Sequence, residues 1–227
     1  SNRVKSGSPS LLLGLAIVGL FAGMAIFPGL FTGQDPAGLR LEHRLSAPSA
    51  GNWFGTDGVG IDVYSRVVYG ARTTLATIVV VLGIAILVGV GIGSVSGYLG
   101  GWIDGLLMRV ADVFLAFPPL ILALATNAVL GRGLHQTMFA VAFLWWPAYA
   151  RLVRSQILAV RKLEFVESAR AIGANEFRIV GRHVLPNVLD PVIVRASLDA
   201  GFVALTAASL SFLGLGAQPP TPEWGRM

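Results

Sequence analysis

The sequence predicts an all-α bundle of membrane-spanning helices, and three observations predict it. Of the 227 residues, 54% are hydrophobic, and the mean hydropathy is +0.71. Charged residues make up only 13%, where a soluble domain carries about 25%. The apolar residues also gather in uncharged blocks close to the roughly 20 residues a helix needs to cross a bilayer. The chain has no cysteine, which removes disulfides, thiolate metal sites and cysteine nucleophiles. His43, His135 and His183 stand far apart without ligand spacing, so they read as ordinary loop residues and no metal centre is expected. The net charge of +5 reports topology in a membrane protein rather than a polyanionic partner, and nucleic acid is not an expected ligand.

The first span is read at residues 11–31, an uncharged run preceded by Arg3 and Lys5. A cleavable signal peptide is the alternative, but the run is long and no clear small-residue cleavage site follows it. The second span lies in the uncharged stretch between Arg72 and Asp104, the third at 113–131, and the fourth at 134–150 before Arg151 and Arg154. A fifth runs over about 192–215 and carries Arg195 and Asp199 near its start. This divides the chain into an N-terminal tail with the first span (1–32), an extracytoplasmic loop (33–72) and a core (73–227).

With the N-terminus in the cytoplasm, eleven of the 17 basic residues fall inside: Arg3, Lys5, Arg109, Arg195 and the seven from Arg151 to Arg182. Six fall outside, four of them in the long loop beside Asp35, Glu42, Asp57 and Asp62. Positive charge collects in short cytoplasmic loops, which favours this orientation. Five spans leave the proline-rich end beyond Gln218 outside, and a missing sixth helix is expected from the odd count.

Residues 155–190 are not explained by membrane insertion alone. The run 161–187 reads RKLEFVESARAIGANEFRIVGRHVLPN. Leu163, Val166, Ala169 and Gly173 recur at helical spacing, and Gly173 suits a left-handed helix end. Asn175 then suits the start of a second helix, with Glu176 in its first turn, where the dipole favours a carboxylate. Phe177, Val180 and Val184 give that helix an apolar stripe, and Pro186 is expected to end it.

Glu167, Ser168 and Ala169, with Gly173 four positions later and then Leu185-Pro186, resemble the "EAA" loop of permeases from bacterial ABC importers. Ser168 stands for the usual middle alanine, and His183 for an apolar residue. The runs RHVLPN (182–187), FGTDGVGIDVYSRVVYGAR (54–72), LAFPP (115–119) and SLSFLGLGAQPPTPEWG (209–225) are similar to the C-type permeases of dipeptide and oligopeptide importers. Ile61 replaces a common arginine of that pattern, and Asn52-Trp53 a common His-Pro.

The resemblance implies a type I ABC importer permease fold. It makes Glu164, Glu167, Ser168, Ala169, Gly173, Ala174, Asn175, Leu185 and Pro186 the loop that couples to an ATPase subunit. It implies a sister permease, two ATPase subunits carrying ATP and Mg, an extracytoplasmic substrate-binding protein and a peptide substrate, within the bilayer of a bacterial cytoplasmic membrane. The chain itself would bind no cofactor and catalyse nothing. Relatives of this kind also carry nickel chelates or glutathione, and nothing in the spans separates these cargoes.

Other features keep two readings. Gly89, Gly93 and Gly97 share one helix face, as a packing surface or a sliding one. Pro118 and Pro147 interrupt or kink helices, lining a pathway or merely packing. Asp199, inside a span, is a pathway residue or the partner of Arg195 one turn earlier. Neither lysine (Lys5, Lys162) follows a phosphate-binding glycine run, and no serine-nucleophile elbow or zinc-protease helix occurs. A secondary transporter would need its own coupling-ion residues at mid-bilayer, and Asp199 is the sole weak candidate.

Overall fold

A computed structural model describes residues 9–171 and 173–227, and their regular structure is helical apart from one isolated bridge between Thr56 and Asp62. Arg3 and Lys5 lie outside the described residues. The first helix, α1 (Pro9–Ile26), is uncharged along its whole length. The second, α2 (Val63–Leu99), has 37 residues and begins well before the expected span. The cause is local. The Asp62 carboxylate accepts the Ser65 main-chain N–H at 2.7 Å, and the Ser65 hydroxyl donates back to the Asp62 carbonyl at 2.9 Å, so the helix is capped there.

The expected third span is two helices, α3 (Gly101–Ala116) and α4 (Pro119–Leu130), bent by 97° at the break. A residue before proline is driven out of the helical region. Phe117 and Pro118 each precede a proline and are extended, with ψ of 143° and 126°. Pro119 then opens α4, where its missing N–H costs nothing. Helix α5 (Leu134–Val160, 27 residues) runs through Pro147 and ten residues beyond the expected end of the fourth span.

Two short helices follow, α6 (Glu164–Ala171) and α7 (Glu176–Ile179), and then a π turn (Val180–Val184) leads directly into α8 (Leu185–Phe212). This corrects the expectation that Pro186 ends the second short helix. Pro186 sits in the first turn of α8, where no N–H is needed, and the wide π ring before it absorbs the change of register. By length and apolarity, α1 and α2 each suffice to span a membrane, and α3 with α4 makes a third span if the bent pair counts as one. Helices α5 and α8 are long enough but less apolar.

One compact unit comprises the described residues up to 77 together with 217–227. Its loop is folded rather than trailing. The Asp57 carboxylate accepts the main-chain N–H groups of Val59 and Ile61, each at 2.9 Å, and pairs with Arg66 at 2.7 Å. Gly55 and Gly60 have φ of +73° and +81° and lie with their Cα atoms against the Ser46 and Arg40 carbonyls, where no side chain fits. Trp53 packs tilted against Tyr64 and Phe54 meets it edge-on. The Trp224 indole N–H donates to the Val67 carbonyl at 2.9 Å, and its ring meets Phe21 edge-on.

The other unit, residues 78–216, is organised about α5, which α3, α4 and α8 all contact. Tyr149, Val153 and Ile157 of α5 are fully buried together with Val81, Val188, Val203 and Leu210. A methyl group at Gly93 would sit 2.5 Å from the Ala150 carbonyl, and one at Gly97 3.0 Å from the Arg154 carbonyl; at Gly89 it would strike Tyr149. The three glycines therefore bring α2 into backbone contact with α5, the arrangement that favours helix association where lipid removes the hydrophobic drive. Gly101, at the same spacing, is not part of it: it opens α3 with φ of +59°.

Two outcomes follow from this architecture. Gly93→Leu should lose about 1–3 kcal/mol through overpacking, seen as a lower thermal midpoint in detergent. Gly83→Leu, where nothing lies within 4 Å, should show no such fall; equal losses would show that the α2 glycines are not at a tight contact. In the loop, partial burial pushes the Asp57 carboxyl up, but the N–H groups of Ile61 and Val59 and the Arg66 guanidinium outweigh it and hold it below its ordinary value. Its stabilisation is therefore present at neutral pH and is lost as pH falls through that lowered value. Asp57→Ala should open residues 33–62 to pepsin at about pH 5, and the gap to wild type should close as pH falls below the ordinary carboxylate value of about 3.9. A gap independent of pH would refute the role of the carboxylate.

Candidate coupling loop and α8 ion pair

The loop after α5 is built by alternating burial. Val166 of α6, Ile179 of α7, Val184 of the π turn and Val188 of α8 are all fully buried in the core of their unit, and Ala174 packs against it. Glu164, Glu167 and Ser168 are exposed on α6, as is Phe165 beside them. Between the helices, Gly173 has φ of +81° and open space around it, so the turn is set by backbone conformation and not by crowding. The Asn175 carbonyl accepts the Ile179 N–H at 3.0 Å, closing the first turn of α7. Leu185 is half-buried and Pro186 exposed at the start of α8. Ala169 lies in α6, but its side chain and those of Phe177 and His183 are outside the described residues.

The loop is anchored by a polar clamp. Arg154 grips Asp104 with two nitrogens, Nε to Oδ1 at 2.5 Å and the terminal nitrogen to Oδ2 at 2.6 Å. The Ser96 hydroxyl also donates to Asp104. Two turns further along α5, Arg161 donates to the Gly97 carbonyl at 3.0 Å. Arg151 pairs with Asp112. A forked guanidinium–carboxylate contact fixes orientation as well as distance, so the end of α5 that launches the loop is held to the end of α2 and the start of α3.

A second polar feature sits halfway along α8. Asp199 is 3% exposed and accepts a hydrogen bond from Arg195 Nε at 2.9 Å. The buried Tyr149 hydroxyl lies beside the Asp199 carboxylate without reaching hydrogen-bonding geometry. Arg195 and Asp199 both border a cavity of about 520 Å³ between α3, α4, α5 and α8, walled by Phe114, Phe117, Trp145 and Phe202. Of the helix-interrupting prolines, Pro118 makes the α3–α4 break and Pro147 is buried inside α5.

The structure thus brings Glu164, Glu167, Ser168 and Gly173 to one loop, and Asp199 to a cavity with Arg195. Sequence reading missed Asp104 as a site residue. It served only as the boundary of an uncharged run, and the sole sign of its role was a lone acid facing a basic cluster fifty residues later. Tyr149 carried no sign, being one aromatic among many in an apolar span.

A family described as "Binding-protein-dependent transport system inner membrane component" matches residues 89–227. The "Dipeptide transport system permease protein DppC" of Alkalihalophilus pseudofirmus is 44% identical over 95% of this chain and 71% of its own length. The "Probable D,D-dipeptide transport system permease protein DdpC" of Escherichia coli is 43% identical over 97% of this chain and 74% of its own. The "Glutathione transport system permease protein GsiD" of Pectobacterium atrosepticum is 44% identical over 79% and 60%. Among solved structures, the inward-facing MetNI methionine ABC transporter matches with a TM-score of 0.57 at 22% identity, over 67% of this chain and 76% of that one, a likeness of fold. The chain belongs to the inner membrane components of binding-protein-dependent transport systems and is a multi-pass membrane permease.

Proposed function

We propose that this permease forms one half of the translocation path of an ATP-binding-cassette importer for dipeptides or short oligopeptides, with its N-terminus in the cytoplasm. A sister permease would supply the other half, two partner subunits would hydrolyse ATP with Mg, and an extracytoplasmic binding protein would deliver the peptide. Residues 33–72 would face that binding protein, and 73–227 would form the permease core with its coupling loop at 155–190. The observation that carries the reading is the Gly173 turn, which presents the exposed Glu164, Glu167 and Ser168 on α6 while Val166 anchors the same helix. Such a rigid, half-buried protrusion suits docking to an ATPase subunit.

For the cargo, the two dipeptide relatives align over 95% and 97% of the chain, against 79% for the glutathione relative. Glutathione is itself a small peptide, so it stands as a variant of the same class. ATP-driven uptake of labelled dipeptides by the reconstituted complex tests the reading, and uptake without ATP-hydrolysing partners would overturn it.

Two variants test the coupling. Gly173→Val places a β-branched residue at φ +81°, a strain of about 1–3 kcal/mol confined to the loop. The subunit should insert normally yet lose co-purifying ATPase subunits or peptide-stimulated hydrolysis, with Gly173→Ala milder. Wild-type coupling in Gly173→Val would reduce the loop to a topological anchor. Asp104→Asn breaks the fork on Arg154 and should cost about 1–3 kcal/mol. It should lower stimulated ATP hydrolysis more than subunit level; a fall in level alone would make the clamp purely structural.

A further inference from the structure

We propose that the cavity beside α8 binds the free α-carboxylate of a short peptide, with Arg195 as the donor and Asp199 as the group that positions it. The inference rests on the peptide-import reading above and names the residue that would read the cargo.

The Arg195 side chain is 51% exposed while its partner carboxylate is 5% exposed. The buried acid therefore holds the guanidinium by Nε, and the two terminal nitrogens have no acceptor among the described residues. A forked guanidinium with two free donors matches a carboxylate. Asp199 lies within the long helix α8, and an ion pair facing lipid would be costly. A protein- or water-facing open side of the cavity fits that cost. Its volume of about 520 Å³ falls within the roughly 300–1,000 Å³ of small-molecule sites. Phe114, Phe117, Trp145 and Phe202 supply apolar and aromatic walls, tolerant of varied side chains, while Arg195 reads the group every free peptide shares. Below it, a second hollow runs along α5 and α8 past Arg195 to Leu152 and Asp190, so the arginine borders both hollows.

The test is uptake by the intact importer in proteoliposomes with saturating binding protein, using dialanine and its C-terminal amide. Wild type should prefer the acid. Arg195→Gln should lower uptake of the acid by about tenfold, the worth of one charge-assisted contact, while uptake of the amide changes less than about twofold. Arg195→Lys keeps the charge without the fork and should retain part of the preference, which holds the test open if the glutamine variant fails to assemble. Parallel loss of acid and amide, or an unchanged acid-to-amide ratio in either variant, would make the pair a structural strut and overturn the inference. Wild-type complex that imports neither peptide would instead overturn the peptide reading itself, and this inference with it.

Discussion

The contact between α2 and α5 is the constraint on which the permease unit depends. Lipid tails are as apolar as leucine, so helices in a bilayer gain little from hiding apolar surface from each other. They associate through close van der Waals contact and shared polar bonds. Gly89, Gly93 and Gly97 remove the side chains that would keep the α2 backbone away from Trp146, Ala150 and Arg154. Once the backbones touch, Arg161 reaches the Gly97 carbonyl and Arg154 meets the Asp104 carboxylate. The clamp is thus a consequence of the glycine stripe: with bulky residues there, the arginines would be too far from their partners.

From this contact α5 becomes the element against which α3, α4 and α8 settle. It is more apolar than α6 but less than α1 or α2, as expected of a helix covered by protein rather than lipid. The cost of carrying Arg151, Arg154 and Arg161 on its last turns is met by Asp112, Asp104 and a main-chain carbonyl. Basic residues at the end of a span favour the cytoplasmic side, so under the proposed orientation these arginines would also be a topological signal. One set of arginines accordingly serves packing and placement of the loop.

Much of this was legible in the residues. The glycine turn at 173 was readable because two helical periods meet at a residue free to adopt a left-handed backbone. The break at Pro118-Pro119 was readable as a break, though not as a 97° bend, since its angle comes from packing around it. The early start of α2 was hidden, because charges at Arg66 and Arg72 mask a helix that Asp62 caps. Pro186 misled for a different reason. A proline after an apolar stripe is a stop signal in isolation, and only the π turn before it turns the same residue into a start. The Asp104 fork and the Tyr149–Asp199 approach are tertiary, joining residues fifty apart in sequence, and no local pattern encodes them.

Helices α3 and α5 carry both the clamp and walls of the cavity, which bears on how, under the proposed coupling, a pull at the loop would reach the cavity. Helix α5 carries Trp145 and Ala148 at the cavity and Arg154 at the clamp, with Arg161 just past its end and Pro147 between the cavity-lining residues. Proline has no N–H to give to the Phe143 carbonyl one turn back, so the ladder is weakest at the cavity and intact from there to the loop. Helix α8 repeats the pattern, with Pro191 between the π turn and Arg195. Coupling needs elements with two discrete arrangements, and a helix interrupted at one point bends there rather than along its length. Under the proposed coupling, a displacement of α6 and α7 would be carried along the clamped end of α5 and expressed where Pro147 and Pro191 interrupt the hydrogen-bond ladder.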